Sequence, residues 1–584
     1  MTENQSHTLK IINLMKRFRL QILIVLVALV AIAILLISQT PNVLPGVESI
    51  IQPTSGGVYT EAVVGSLGRL NPVLDSGNPA DQAVNRLLFS RLFNFDPQGI
   101  PRGDLVDSWG VSQDGTVYNF SIKPEAVWHD GVPVTSDDVL FTIGMLRDES
   151  IPLPEDVREF WNQIEIRPLD EKTLQFILPE PFAPFLDYLS FGVLPFHLLG
   201  NLGAEQLISD PFNINPVGSG PYKFDALQIE NGEIVGVELS VFEDYFGEKP
   251  FIEEVIFKFF PDYSSAFTAY QNEDALGISE IPTALLHSAL QENDLNVYTS
   301  RKPRLSLIFL NQDLPSLPFF EDPVVRRALL SGINRRSIID RILGGQAIFA
   351  DGPIFPENWA YYDGIEHIRY DQDASIALLK EAGYTIPAEG EGVRAKDGVK
   401  LAFELAYPND SISQQIAESV QKDWQKIGVM LTLKPVTNED LINKYLDPRT
   451  YQAALVEINL DGAADPDPYP FWHEAQIIGG QNYSGWDDRQ ASEFLEQARV
   501  LVDFDERLKR YRNFQVRFAS EIPALPLFFP VYSYAVDNQV RGVSMGPIIE
   551  PSDRFNTIKS WYITAKSAVE VQETPEETAE IEGQ

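Results

Sequence analysis

Apolar positions recur along this chain at two spacings, and the spacing changes from segment to segment. Alternation every second residue marks Tyr118, Phe120 and Ile122; Leu174, Phe176 and Leu178; Leu401, Phe403, Leu405 and Tyr407; and Val429, Leu431 and Leu433. Each run predicts a strand with one or both faces packed. Ile412, Ile416, Val420, Trp424 and Ile427 follow the helical period instead, with Gly428 as the stop. Leu508, Tyr511, Phe514 and Phe518 form a second stripe, closed by Pro523. Asp373 is a predicted cap for a helix over 374–382 ending at Gly383, and Asp487 or Asp488 for one over 491–500. Residues 401–433 therefore read strand, helix, strand, a βαβ unit with parallel strands in an α/β lobe.

One stretch breaks the pattern. Residues 20–37 read LQILIVLVALVAIAILLI, with Gln21 the only polar residue and no charge. Such a run approaches the ~20 residues that span a bilayer and exceeds the ~7–15 of a signal-peptide core. Lys10, Lys16, Arg17 and Arg19 precede it, which predicts a cytoplasmic N-terminus over 1–19, a membrane anchor over 20–37 and everything beyond outside the cell. A cleaved secretory signal is the alternative, and it leaves the body on the same side. Residues 38–57 are rich in Pro, Gly and Ser and read as a tether. The last stretch, 566–584, carries six glutamates and no aromatic residue, and reads as a solvated, disordered tail.

Length and charge narrow the function classes. With 584 residues the chain exceeds a single core, so several lobes are expected. Lys+Arg of 45 against Asp+Glu of 83 gives a net charge of −38, which repels phosphate backbones and argues against nucleic acid as a partner. The sequence has no cysteine, which removes disulfides, thiolate metal sites and cysteine nucleophiles. It has six histidines, none paired at short spacing, so no metal site and no cofactor are expected. Catalytic motifs are equally lacking. Val217 replaces the first glycine of G-x-S-x-G at Gly218-Ser219-Gly220, and His473-Glu474 lacks the second histidine of H-E-x-x-H. The expectation is a protein that is not an enzyme.

Several phrases, in order, resemble the substrate-binding proteins of peptide-type ABC importers, solute-binding protein family 5. They are Gly68-Arg69-Leu70-Asn71-Pro72, Asp114-Gly115, Val127-Trp128-His129-Asp130-Gly131, Asp137-Asp138-Val139, Pro216-Val217-Gly218-Ser219-Gly220-Pro221-Tyr222, Asp322-Pro323-Val324-Val325-Arg326-Arg327-Ala328 and Tyr370-Asp371 through Gly383-Tyr384. Taken singly, Trp128 reads as core, Gly115 and Gly131 as turn formers, and Arg326 and Arg327 as helix-start packing.

The resemblance implies a two-lobed α/β fold of the periplasmic-binding-protein kind (type II, the Venus-flytrap arrangement), with ligand enclosed between the lobes. It places lobe I over 58–307 and 533–565 and lobe II over 308–532. Crossings are expected at 307–311 and 531–534, with Asn311 facing the cleft. By family position the loop 74–78, with Ser76, would border the ligand. The family's peptide binders hold the ligand ammonium with an aspartate in a D-x-x-D-P segment. Here Asp461-Gly462-Ala463-Ala464-Asp465-Pro466-Asp467-Pro468-Tyr469 departs from that register, Gly462 or Ala464 occupying the gripping position. Asp461, Asp465 and Asp467 beside Tyr469 and Trp472 would make a cationic-ligand pocket, or Asp465 and Asp467 would only shape turns before prolines. Asn482 and Tyr483 would hydrogen-bond an extended ligand, and Trp486 is core or pocket. The implied function is the extracytoplasmic subunit of an importer, a monomer that binds peptides and hands them to a membrane permease. The same scaffold holding an oligosaccharide or metal complex is the alternative, with an exported hydrolase or sensor ectodomain the more distant one.

Overall fold

The computed structural model describes residues 53–564 apart from 389–391, 463 and 547. The expected anchor 20–37, most of the tether and the acidic tail lie outside the described residues. Among those described, no helix is long and apolar enough to cross a membrane.

A 12-stranded mixed sheet forms the spine of the body. Its longest strand, Ala524–Asp537, belongs to two neighbourhoods. The first part pairs antiparallel with Arg304–Leu310, from Ala524 opposite Phe309 to Phe528 opposite Ser306. The second part pairs with Leu295–Arg301, from Val531 opposite Arg301 to Asp537 opposite Leu295. Strand partners thus change at Lys302-Pro303 on one chain segment and at Pro530-Val531 on the other. Leu310 and Asn311 lie at the far end of their strand, where Leu310 pairs with Ala453. They are therefore not at a change of partner, and Asn311 is buried, its amide donating to the carbonyls of Arg449 and Tyr451.

On one side of this change the sheet contains Val58–Val64, flanked in parallel by Glu254–Phe260 and Gly277–Ile278. A separate four-stranded antiparallel sheet contains the predicted strands at Val117–Ile122 and Thr173–Ile177 and packs into the same core. On the other side lies the βαβ unit read from the sequence. Ala402–Pro408 pairs in parallel with Met430–Val436, and the helix Ser411–Lys426 connects them. Arg304–Leu310 shows why such strands read as near-continuous apolar runs. Leu305, Leu307 and Phe309 face one core, and Ile308 and Leu310 the other.

Helix ends follow the capping chemistry with one shift. Asp410 accepts the N–H groups of Ile412 and Ser413, and Asp488 that of Ala491. Asp371, rather than Asp373, caps Gln372–Glu381 by accepting from Ala374. Asp373 sits in the first turn, where a carboxylate still favours the helix dipole. Trp128 is buried as read, and the Arg326 guanidinium donates to the carbonyls of Phe320, Glu521 and Ile522, a packing role.

Candidate functional site

The acidic loop leaves the end of strand Ala453–Asn459, and each of its aspartates meets an arginine. Asp461 lies 3.4 Å from Arg304, which also holds Glu457 at 3.2 Å. Asp465, 7% exposed, accepts from Arg507 at 2.6 Å and from the Tyr511 hydroxyl at 2.8 Å. Asp467 takes both Nε and Nη2 of Arg499, at 2.7 to 3.1 Å. The Asp467 N–H also donates to Asp465 Oδ1 at 3.2 Å, so the turn-shaping interaction is present as well.

The neighbouring residues fall into the core or into local pairs. Tyr469 stacks on His473 at 4.0 Å and lies under the Arg499 guanidinium. Trp472 and Trp486 pack edge-on against Phe518 in a buried cluster. Asn482 is fully buried: its amide donates to the carbonyls of His473 and Trp486, and its oxygen accepts from Ser484 and Trp486. The Tyr483 hydroxyl donates to Asp447, and its ring lies beneath Arg449. The structure thus groups Asp465, Asp467 and Tyr469 in one ion-pair cluster, leaves Asp461 on Arg304, and places Trp472, Asn482, Trp486 and Asn311 in the interior. Ser76, exposed, lines a separate cavity.

Two cavities stand out, one lined by both sheet regions and one lined by the first region alone. The larger, about 520 Å³, is lined by both regions and by the strands that join them. Glu280 and Lys302 form a 2.6 Å ion pair on one wall, with Ser306 and Gln346 nearby. Pro408, Ser411 and Ser413, at the start of the helix Ser411–Lys426, supply the opposite wall. Ile412 was expected in the core stripe of that helix but is 39% exposed and faces this space. The volume falls in the ~300–1,000 Å³ range of small-ligand sites, and apolar walls with a few convergent polar groups are their usual composition.

The smaller cavity, about 270 Å³, lies beside Ser76 and is bordered by Asp75, Asn85 and Asp187. Asp187 Oδ2 accepts the N–H of Asp465 at 2.6 Å, which joins this cavity's rim to the acidic loop. Burial and then the nearby Asp465 carboxylate push the Asp187 carboxyl well above the usual carboxylate range. Burial raises Asp75 to about 7. Asp75 falls in the loop 74–78 expected to border the ligand, whereas Asp187, Glu280 and Lys302 carry no signal in the linear order. Nothing in their spacing separates them from the other acidic and basic residues; only the fold converges them.

This two-region α/β architecture, with a cavity at the change of strand partners, is that of a binding protein, and its relatives say which kind. Residues 101–477 match the family model of bacterial extracellular solute-binding proteins, family 5. The chain belongs to that family, the substrate-binding proteins of ABC importers. The oligopeptide-binding protein AppA of Bacillus subtilis is 28% identical over 523 residues, covering 87% of this chain and 92% of AppA. Its structure with a nonapeptide aligns with a TM-score of 0.64 at 25% identity, covering 88% of this chain and 100% of that one. NikZ from Campylobacter jejuni in complex with Ni(L-His) gives the same TM-score of 0.64 at 25% identity, over 86% and 99% of the two chains. These relatives are solute-binding proteins rather than enzymes, and they do not share one ligand class.

Proposed function

We propose that this protein is the extracytoplasmic subunit of an ABC importer and that it encloses a peptide between two domains, one comprising 58–301 and 531–564 and the other 304–530. The observation that carries this reading is the roughly 520 Å³ cavity walled by both sheet regions and by the strands joining them. An extended peptide satisfies its backbone against loops and helix starts from two sides, which tolerates different side chains. Closure needs only better ligand contacts in the closed state. Moving an open-to-closed ratio from 99:1 to 1:99 takes ~5.5 kcal/mol of differential affinity. The apolar run 20–37 then anchors a monomeric body outside the membrane beside its permease, and the tether substitutes local concentration for permease affinity. No covalent step, metal or cofactor is required.

The test is native mass spectrometry and titration calorimetry of the full chain against a mixed peptide library. Retention of peptides supports the reading, and absence of any peptide complex at millimolar peptide removes it. A second reading, a non-peptide solute such as a metal complex or oligosaccharide, is favoured by one observation: Asp461, Asp465 and Asp467 are each engaged by an arginine, so that loop offers a ligand ammonium no unpaired carboxylate. The same titration with nickel–histidine and with oligosaccharides separates the two.

A further inference from the structure

Two carboxylates beside Ser76 lack the arginine partners that every aspartate of the acidic loop has. Asp75 lies just before the helix Pro79–Leu88, and Asp187 lies in the turn Ala183–Leu189. Both line the cavity of about 270 Å³. Among the described residues neither has a lysine, arginine or histidine within ion-pair distance. Asp75 Oδ2 accepts from Asn85 Nδ2 at 2.9 Å, and Asp187 accepts only the Asp465 backbone N–H at 2.6 Å. The single cation lining the cavity, Arg91, is bonded to Glu550, so neither Asp75 nor Asp187 has a cation of its own there.

A second observation is independent of the acids. Asn85 also lines the cavity and is 4% exposed, yet its Oδ1 has no partner among the described residues. The bond from Nδ2 to Asp75 fixes which end of the amide is which, so the orphan is an acceptor. A buried acceptor left unpaired is costly and asks for a donor. Part of the remaining wall is apolar: Leu146, Val157 and Trp161 come from the helices Ser136–Leu146 and Glu155–Gln163.

We infer that this cavity is a subsite for a basic side chain of the ligand, a lysine ammonium or arginine guanidinium held by Asp75, Asp187 and Asn85 Oδ1, with its alkyl stem on Leu146, Val157 and Trp161. Such a group brings positive charge, several N–H donors and an apolar stem together, which matches a lining that holds both carboxyls and apolar side chains. Burial raises Asp75 to about 7 and pushes Asp187 well above the usual carboxylate range, the expected behaviour of carboxyls without a paired cation. The inference rests on the peptide reading above and narrows it to basic peptides.

The experiment titrates the full chain with alanine-based peptides that differ at one position: Lys, Arg, norleucine or Glu. The basic peptides are expected to bind at least about tenfold tighter than the norleucine peptide, which is about 1.4 kcal/mol. In the double variant Asp75→Asn, Asp187→Asn that ratio falls below about threefold. Where the variant does not fold, carbodiimide coupling of the bound lysine peptide to wild type is read by mass spectrometry. Coupling at Asp75 or Asp187 supports the subsite, and coupling only elsewhere overturns it. Equal affinity for basic and norleucine peptides overturns the inference and leaves the peptide reading standing, as does a preference that survives the double variant. Binding of no peptide at all overturns both.

Discussion

Asp465 illustrates how far a residue's role depends on neighbours that the local sequence does not announce. Its position before Pro466 predicts a turn, and the turn-shaping bond to the Asp467 N–H is present. Its main partners, Arg507 and Tyr511, lie 42 and 46 residues further along, on the helix Phe504–Glu521. Arg507 is itself buried, with its guanidinium 5.2 Å from the centre of the Trp359 ring. Removing one member of a buried ion pair leaves the other charge without compensation and typically costs about 3–5 kcal/mol. Asp465→Ala is therefore expected to lower unfolding free energy by an amount of that order, measured by urea denaturation at neutral pH. A ΔΔG within about 0.5 kcal/mol of zero, the usual surface value, would show that Asp465 is not needed to neutralise Arg507.

Among elements, the βαβ unit was readable because two periods act in succession on adjacent segments and a glycine separates them. The joints between elements were less readable. Gly218 and Gly220 looked like a small-residue turn. The reason they are small is that a β-carbon at Gly218 would lie 1.9 Å from the Leu88 carbonyl oxygen, and one at Gly220 2.3 Å from that of Leu87. This turn docks on the end of the helix Pro79–Leu88 and is pinned by His129. The ring accepts the Gly218 N–H at Nδ1, 3.1 Å, so its proton resides on Nε2, which donates to the Gly220 carbonyl at 3.1 Å. Burial lowers the His129 pKa to about 4 from its ordinary 6.5. Between these values the unfolded chain takes up a proton that the folded chain refuses, so stability is complete above pH 6.5 and falls as pH drops toward 4. The contribution is on the order of 1–3 kcal/mol. Denaturation of wild type and His129→Asn across this window is expected to show a steeper loss in wild type; parallel curves would contradict the assignment.

For the whole molecule, the decisive arrangement is two sheet regions sharing one long strand. Lys302-Pro303 and Pro530-Val531 are the two places where strand partners change, and the Lys302–Glu280 ion pair bridges the first of them. A closing motion about these two points would be small in backbone terms and large in its effect on the cavity. Small-angle X-ray scattering is expected to show the radius of gyration falling when a bound peptide saturates the full chain. An unchanged value with proven saturation would remove closure from the mechanism. The family's phrases were legible because each is a short local solution to a turn or a cap, and turns and caps are set by neighbours within a few residues.

Local chemistry therefore carried the α/β class, the parallel unit, the Asp488 cap and the buried Trp128, while resemblance of short phrases carried the family. The candidate site residues behaved differently. Trp472, Asn482 and Trp486 had the right chemistry for a pocket, but packing turned them inward. Ser76 and Asp75 of the expected loop line a cavity, and Asn85 and Asp187, unremarkable in the linear order, meet around the same space. Periodicity and capping act over one or two turns of chain, whereas burial and charge pairing are settled by residues that only the folded body brings together.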